Sequence, residues 1–266
     1  MHSPLTLTRR RLLKRGLVSA VAALAACTAD HISGSTQLVN STQQETGLLL
    51  SRPSPPAEAG AARGLHSLAL ESQRDGFIYV PTGYQPDNPV PLVLMLHGAG
   101  GDAEGALRIL AGLADAYGLL LLAVESRGRT WDVILGDYGP DIAVMDRALA
   151  QTFSRYAIDP SRVAIAGFSD GASYALSVGI TNGDLSTHVV AFSPGFMAPA
   201  AQRGEPHIFI SHGTQDPVLP IDSCSRRIVP QLQQAHYDTR YREFNGGHTV
   251  PADISREAMT WLTAQS

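Results

Sequence analysis

Lysine is almost missing from this chain: Lys14 is the only one among 266 residues, and charged residues of every kind make up 17%. The formal charge is −4, and the first 27 residues hold Arg9, Arg10, Arg11, Lys14 and Arg15 with no acidic residue, so without them the balance falls to −9. That surface excludes nucleic acid and anionic membrane surfaces as partners. Cysteine is nearly absent too, with two residues, Cys27 and Cys224. Two cysteines cannot make a disulfide-stapled scaffold or a Cys–His zinc cluster, and the nine histidines show no HExxH spacing, so neither a metal nor a cofactor is expected. No apolar run is long enough to span a bilayer, and no internal repeat is visible. What remains is a chain with 44% hydrophobic residues, enough for the core of one large domain.

The N-terminus reads as an address. Thr8-Arg9-Arg10-Arg11-Leu12-Leu13-Lys14 resembles a twin-arginine export signal, and Leu17 to Ala26 follows as a moderately apolar segment. Leu24-Ala25-Ala26-Cys27 looks like a bacterial lipobox with Cys27 as the lipid-bearing residue; cleavage near Ala25, leaving Cys27 a bystander, is the alternative. Residues 1–27 are thus expected to be a signal peptide, and the protein periplasmic or at the cell surface. A lipid at Cys27 is the one expected contact with a membrane. Residues 28–46, rich in Ser, Thr, Gln and Asn, read as a flexible tether. Leu48-Leu49-Leu50 is expected to begin an edge strand that Pro53-Ser54-Pro55-Pro56 interrupts.

From Gly64 onwards strands alternate with helices. Residues 65–71 and 77–80 predict a hairpin around a Ser72–Gly76 turn. Leu92 to Leu96, Leu119 to Val124, Val163 to Ala166, Val189 to Phe192 and Ile208 to Ser211 are short apolar runs of the kind that make fully buried strands. Helices are expected from Asp102 to about Tyr117, from Asp141 to about Tyr156, near 222–236 and from Asp253 to Leu262, with a last strand at 239–244. This alternation predicts an α/β fold, a mostly parallel sheet with helices on both faces. Only Ser193 to Pro206 separates Phe192 from His207, too short for a large cap domain.

The chain is organised around Gly167-Phe168-Ser169-Asp170-Gly171, which fits Gly-x-Ser-x-Gly between a predicted strand and a predicted helix. A turn that tight leaves no room for side chains two positions either side of the serine. It lifts the Ser169 hydroxyl out of the sheet edge and aims a helix N-terminus at whatever the serine attacks. A serine hydroxyl needs an imidazole to take its proton and a carboxylate to hold that imidazole. Both stand beyond later strand ends, in His212-Gly213-Thr214-Gln215-Asp216-Pro217 and Asn245-Gly246-Gly247-His248. Asp222 competes with Asp216 for the acid, and His97 and His212 compete with His248 for the base. His97 opens a glycine-rich loop that it is expected to brace, and His212 reads as structural.

Taken together, HGAGGD (97–102), GFSDG (167–171), HGTQDPVLP (212–220) and GGHTVP (246–251) resemble the α/β-hydrolase superfamily. The similarity is to small bacterial carboxylesterase/phospholipase-type esterases and their polyhydroxyalkanoate-depolymerase-like and feruloyl-esterase-like relatives; it covers residues from about 64 to the end, and the hydrolase domain is expected over residues 47–266. The resemblance implies a serine esterase with Ser169 as nucleophile, His248 as general base and Asp216 as orienting acid. The oxyanion hole it implies is the backbone N–H of Ala99 and of Asp170. Because Ser193 to Pro206 is too short for a cap, an uncapped site is expected to prefer short acyl or aryl esters, free or displayed on a larger carrier. Asp170 departs from the family's usual small residue, Asn or Gln, and its carboxylate is expected to point away from the oxyanion. Trp131 is a candidate wall of the acyl pocket, with surface packing as the alternative; Arg127 and Arg129 are expected to be solvated or paired. A rival reading takes Gly98 to Ala103 as the dinucleotide pattern G-x-G-x-x-G/A of a nicotinamide-dependent oxidoreductase, with Glu125 as its ribose-binding acid. That reading leaves GFSDG, the Asp216 loop and GGH without a role.

Overall fold

A strand covered on both faces has no polar side to show, and the chain's unbroken apolar runs become the middle of one sheet. The computed structural model describes residues 46–57, 62–70 and 75–264. Its strands are β1 (Gly64–Ser67), β2 (Gly76–Val80), β3 (Val90–Leu96), β4 (Leu120–Val124), β5 (Ile158–Phe168), β6 (His188–Phe192), β7 (His207–Gly213) and β8 (Thr239–Phe244). Its helices are α1 (Ala103–Arg108), α2 (Ala111–Tyr117), α3 (Asp132–Leu135), α4 (Pro140–Arg155), α5 (Asp170–Thr181), α6 (Ser225–Gln234) and α7 (Ala252–Ala264). The sheet order is β1-β2-β4-β3-β5-β6-β7-β8. β1 and β2 form the expected antiparallel pair, in register Gly64 with Val80, and β2 runs antiparallel to β4. Every pairing from β4 through β3 to β8 is parallel. This is the α/β-hydrolase fold, and among the described residues no cap covers it.

The pleat divides the core in two. Leu92, Leu94 and Leu96 of β3 face Ile142, Met145 and Leu149 of α4 and Leu176 of α5, while Val93 and Met95 face Leu107 of α1 and Ala258 and Leu262 of α7. The single helix expected up to Tyr117 is two. Ile109 and Leu110 close i→i+3 turns onto Ala106 and Leu107, which carries the fully buried Leu110 into the same apolar layer as Leu107. The edge strand expected at Leu48-Leu49-Leu50 does not form, because side chains take its backbone donors. Leu49 N–H donates to Asn182 Oδ1 (2.8 Å), and Leu50 and Ser51 N–H donate to Asp146 Oδ1 (2.7 and 2.8 Å). The signal segment 1–27 with Cys27, and the tether up to residue 45, lie outside the described residues. Cys224 is buried.

α5 is buried along its whole length, and a buried helix must give its hydroxyls partners. Ser173, Ser177 and Thr181, four residues apart, form a ladder on one face. Each donates back toward the carbonyl four residues earlier, the contact from Ser173 being long at 3.4 Å. Each also accepts a backbone N–H from the segment after β6: Gly195 on Ser173 (2.9 Å), Ala198 on Ser177 (2.9 Å) and Ala200 on Thr181 (3.1 Å). That segment is irregular in backbone yet fastened to the helix that carries the serine.

One buried imidazole gives the fold a pH dependence. His188 is 2% exposed, packs against His207 and Trp261 at ring distances of 5.3 and 5.2 Å, and has no partner at Nε2. Burial, helped by repulsion from His207, pushes its pKa down from 6.5 to about 4. The unfolded chain therefore binds the proton first, and this contribution to stability is lost as pH falls from 6.5 toward 4. The buried Asp141 carboxyl, pushed up to about 6, works in the opposite direction and returns stability on acidification. Comparing wild type with His188→Asn cancels Asp141. Urea unfolding should show wild type losing about 2 kcal/mol more than the variant between pH 7.5 and 5. Parallel curves would show that His188 does not titrate in this way.

Candidate active site

The site is built at the C-terminal ends of β3, β5, β7 and β8, beginning with a single residue that joins β5 to α5. Ser169 has φ 58 and ψ −122, a conformation that side-chain-bearing residues rarely adopt. Its neighbours hold it there: Ser169 N–H donates to Phe192 O (3.0 Å), and Ser169 O accepts from Ala172 and Ser173 N–H. The two glycines are required by close approach. A Cβ on Gly167 would lie 2.2 Å from Gly171 O, and one on Gly171 would lie 2.2 Å from Leu96 O and 2.6 Å from His97 O.

Two further strands deliver the partners. His248, in the loop after β8, places Nε2 2.9 Å from Ser169 Oγ and Nδ1 2.6 Å from Asp216 Oδ2. Its ring lies on Phe168, centroids 4.6 Å apart. The Asp216 side chain, in the loop after β7, is fully buried. Its Oδ1 accepts the N–H groups of Val218 and Leu219, each at 2.9 Å. Desolvation pushes the Asp216 carboxyl up, but the hydrogen bonds from Leu219 N–H, His248 and Val218 N–H outweigh it and leave it below its ordinary value. The acid is held ionised with its proton-facing oxygen on His248.

The competing residues are accounted for elsewhere. Asp222 lies at the surface, paired with Arg226 at 2.8 Å. His212 is wholly buried, bonded to Ser225 Oγ and Leu219 O, with its Nε2 also 3.3 Å from Asp216 Oδ2, so it backs the acid, and burial pushes its pKa down. The His97 ring sits in the glycine-rich loop it was expected to brace. Its Nε2 accepts Ser126 N–H (3.1 Å), which leaves the proton on Nδ1, facing Gly98 O at 2.8 Å. A ring fixed in that tautomer cannot shuttle protons to Ser169. Arg127 is paired rather than solvated, 3.7 Å from Asp75 and donating to Glu125 O. The acid of the dinucleotide reading is taken as well: Glu125, 7% exposed, accepts Ala103 N–H at the start of α1 (3.0 Å).

Trp131 requires a correction. It has no exposed surface, so it is not a wall that a substrate could touch. Its ring lies between His97 and Tyr174, at 4.7 and 5.1 Å, and its Nε1 donates to His97 O at 2.8 Å. The Tyr174 hydroxyl passes on to Asp132 Oδ1 (2.7 Å), which also accepts Val133 N–H. The indole therefore supports the loop carrying Ala99 from behind. Nothing in the sequence spacing marks Thr130, beside it, as a site residue. Its Oγ1 donates to Asp170 Oδ2 at 2.7 Å, which accounts for the Asp170 carboxylate. No helical hydrogen bond is available to the Asp170 N–H at the first position of α5.

Residues 142–264 match the Phospholipase/Carboxylesterase family. Among curated proteins, the chain is 26% identical over 172 residues to a probable feruloyl esterase C of Aspergillus niger, covering 60% of each. It is 33% identical over 133 residues to a poly(3-hydroxybutyrate) depolymerase of Ralstonia pickettii, covering 41% of this chain and 27% of that protein. The chain thus spans about 60% of the length of the feruloyl esterase it matches. Among solved structures, esterase PE8 superposes with a TM-score of 0.60 at 23% identity, over 72% of this chain and 98% of the other, a likeness of fold.

Proposed function

We propose that this chain is a serine esterase of the phospholipase/carboxylesterase family of α/β-hydrolases, working through an acyl-enzyme on Ser169. The observation that carries the reading is the line from Asp216 Oδ2 through His248 to Ser169 Oγ, at 2.6 and 2.9 Å. In it, Ser169 Oγ attacks the ester carbonyl carbon while its proton passes to His248 Nε2, and Asp216 holds the imidazolium that results. The carbonyl oxygen, now negative, is taken by Ala99 and Asp170 N–H. Such a donor typically contributes about 2.7–4 kcal/mol because the charge exists only in the transition state. His248 returns the proton to the leaving alcohol, and water releases the acid by the same steps in reverse.

The lack of a cap among the described residues supports a substrate class. With Trp131 withdrawn into the core, the exposed apolar side chains next to the acid in sequence are Pro217 and Val218, the latter 61% exposed with its N–H bonded to Asp216. A shallow apolar rim buries little of an acyl chain, and each buried methylene is worth about 0.8 kcal/mol. Short acyl or aryl esters suit it, and the feruloyl esterase and polymer depolymerase among its relatives support an ester displayed on a larger carrier. No metal or cofactor enters these steps. The twin-arginine and lipobox patterns, which lie outside the described residues, support an exported enzyme anchored through Cys27.

A fluorophosphonate probe should label wild type on the peptide containing Ser169 and leave Ser169→Ala unlabelled. On aryl esters of rising acyl length the kcat/KM of untreated wild type should level off after the first few carbons. Labelling on any other residue would overturn the nucleophile, and a steady climb to long chains would overturn the open site.

A further inference from the structure

Three consecutive residues hold both halves of the oxyanion hole. Arg129 O accepts Gly100 N–H at 2.9 Å, and Trp131 Nε1 donates to His97 O at 2.8 Å, so the Ala99 arm is gripped on either side. Between them, Thr130 Oγ1 reaches the other arm and donates to Asp170 Oδ2 at 2.7 Å. Thr130 is 8% exposed, and its hydroxyl meets a carboxylate on the same residue whose N–H would receive the oxyanion. A rotation of that side chain would bring a negative charge toward the place where negative charge must develop. Like charges at such separations repel strongly where water is partly excluded.

We infer that Arg129-Thr130-Trp131 is a clamp that sets the oxyanion hole, and that Thr130 is a positioning residue whose hydroxyl keeps the Asp170 carboxylate out of it. The inference rests on the esterase reading and adds to it a residue that touches neither substrate nor triad. Thr130 acts on the transition state and little on ground-state binding, because the ester oxygen is uncharged before attack. Its loss therefore appears in kcat and leaves KM nearly alone.

Thr130→Val keeps the shape and removes the donor. On a short aryl ester its kcat should fall about 10- to 100-fold with KM within about twofold of wild type. Removing the charge that the hydroxyl restrains should undo the damage, so Thr130→Val combined with Asp170→Asn should recover most of the lost rate. Thr130→Ser, which retains the donor, should also recover it. Melting temperatures accompany each variant, and if Thr130→Val does not fold, Thr130→Ala, with no added methyl, takes its place. A Thr130→Val rate equal to wild type overturns the clamp. So does a double variant as slow as the single one, which would mark the hydroxyl as packing alone. A wild type that labels at Ser169 while either result is obtained leaves the esterase reading standing. A wild type that neither labels nor hydrolyses any ester overturns both.

Discussion

Asp216→Asn should leave a folded protein that has lost about 10⁴ in kcat. The direction follows from which atoms face which. Val218 and Leu219 N–H both point at Oδ1 of residue 216, so the amide oxygen of the asparagine takes that place. Its Nδ2 is then turned toward His248 Nδ1, where Oδ2 stood at 2.6 Å. A donor there forces Nδ1 to accept, the ring proton moves to Nε2, and Nε2 can no longer take the proton of Ser169. Binding should change little, because Asp216 is buried behind the imidazole. Steady-state kinetics on an aryl ester, with circular dichroism as the check on folding, decides it. A kcat within tenfold of wild type would mean that His248 is not oriented by Asp216.

The second large effect is on stability. Gly171→Ala should destabilise the fold by about 3–5 kcal/mol, a large part of the 5–15 kcal/mol typical of a domain. The new methyl would meet the carbonyls of Leu96 and His97 at 2.2 and 2.6 Å, and backbone at the end of β3 cannot retreat like the tip of a side chain. Whatever shift accommodates it moves the Ala99 loop as well, so surviving protein should also be slow. Gly112→Ala is the control: no atom lies within 4 Å of its Cβ, it sits in α2, and alanine there should be neutral or stabilising by up to about 1 kcal/mol. Soluble yield and urea midpoints read both. Equal midpoints for the two variants would show that α5 and β3 are not pressed together as described.

How much of this was legible in the sequence depended on the kind of force involved. The parallel strands were readable because burial on both faces leaves an unbroken apolar run, as in Leu92 to Leu96. The elbow was readable because steric exclusion acts between near neighbours, so Gly167, Ser169 and Gly171 sit at a fixed spacing. Asp216 and His248 could be placed because they stand just beyond predicted strand ends. Contacts between distant side chains left no such mark. Thr130 meets Asp170 across forty positions, and Leu49 meets Asn182 across 133. Trp131 shows the same limit from the other side. An aromatic in a loop near a site is equally suited to lining a pocket or bracing its wall, and only the indole's bond to His97 O separates the two.

The hydroxyl ladder on α5 also bears on how such a site could acquire a cover. The stretch after β6 is where extra chain would have to be spliced in to roof the serine, and Ser173, Ser177 and Thr181 already bind it at Gly195, Ala198 and Ala200. An insertion inside that span would strip acceptors from part-buried backbone donors and leave hydroxyls unmatched on a buried helix. Residues 201 and 202, exposed and ahead of Arg203, whose N–H is bonded to Ile180 O, are the splice point that leaves every rung in place. A grafted roof would therefore have to start beyond the last rung and reach back over the ladder to the serine.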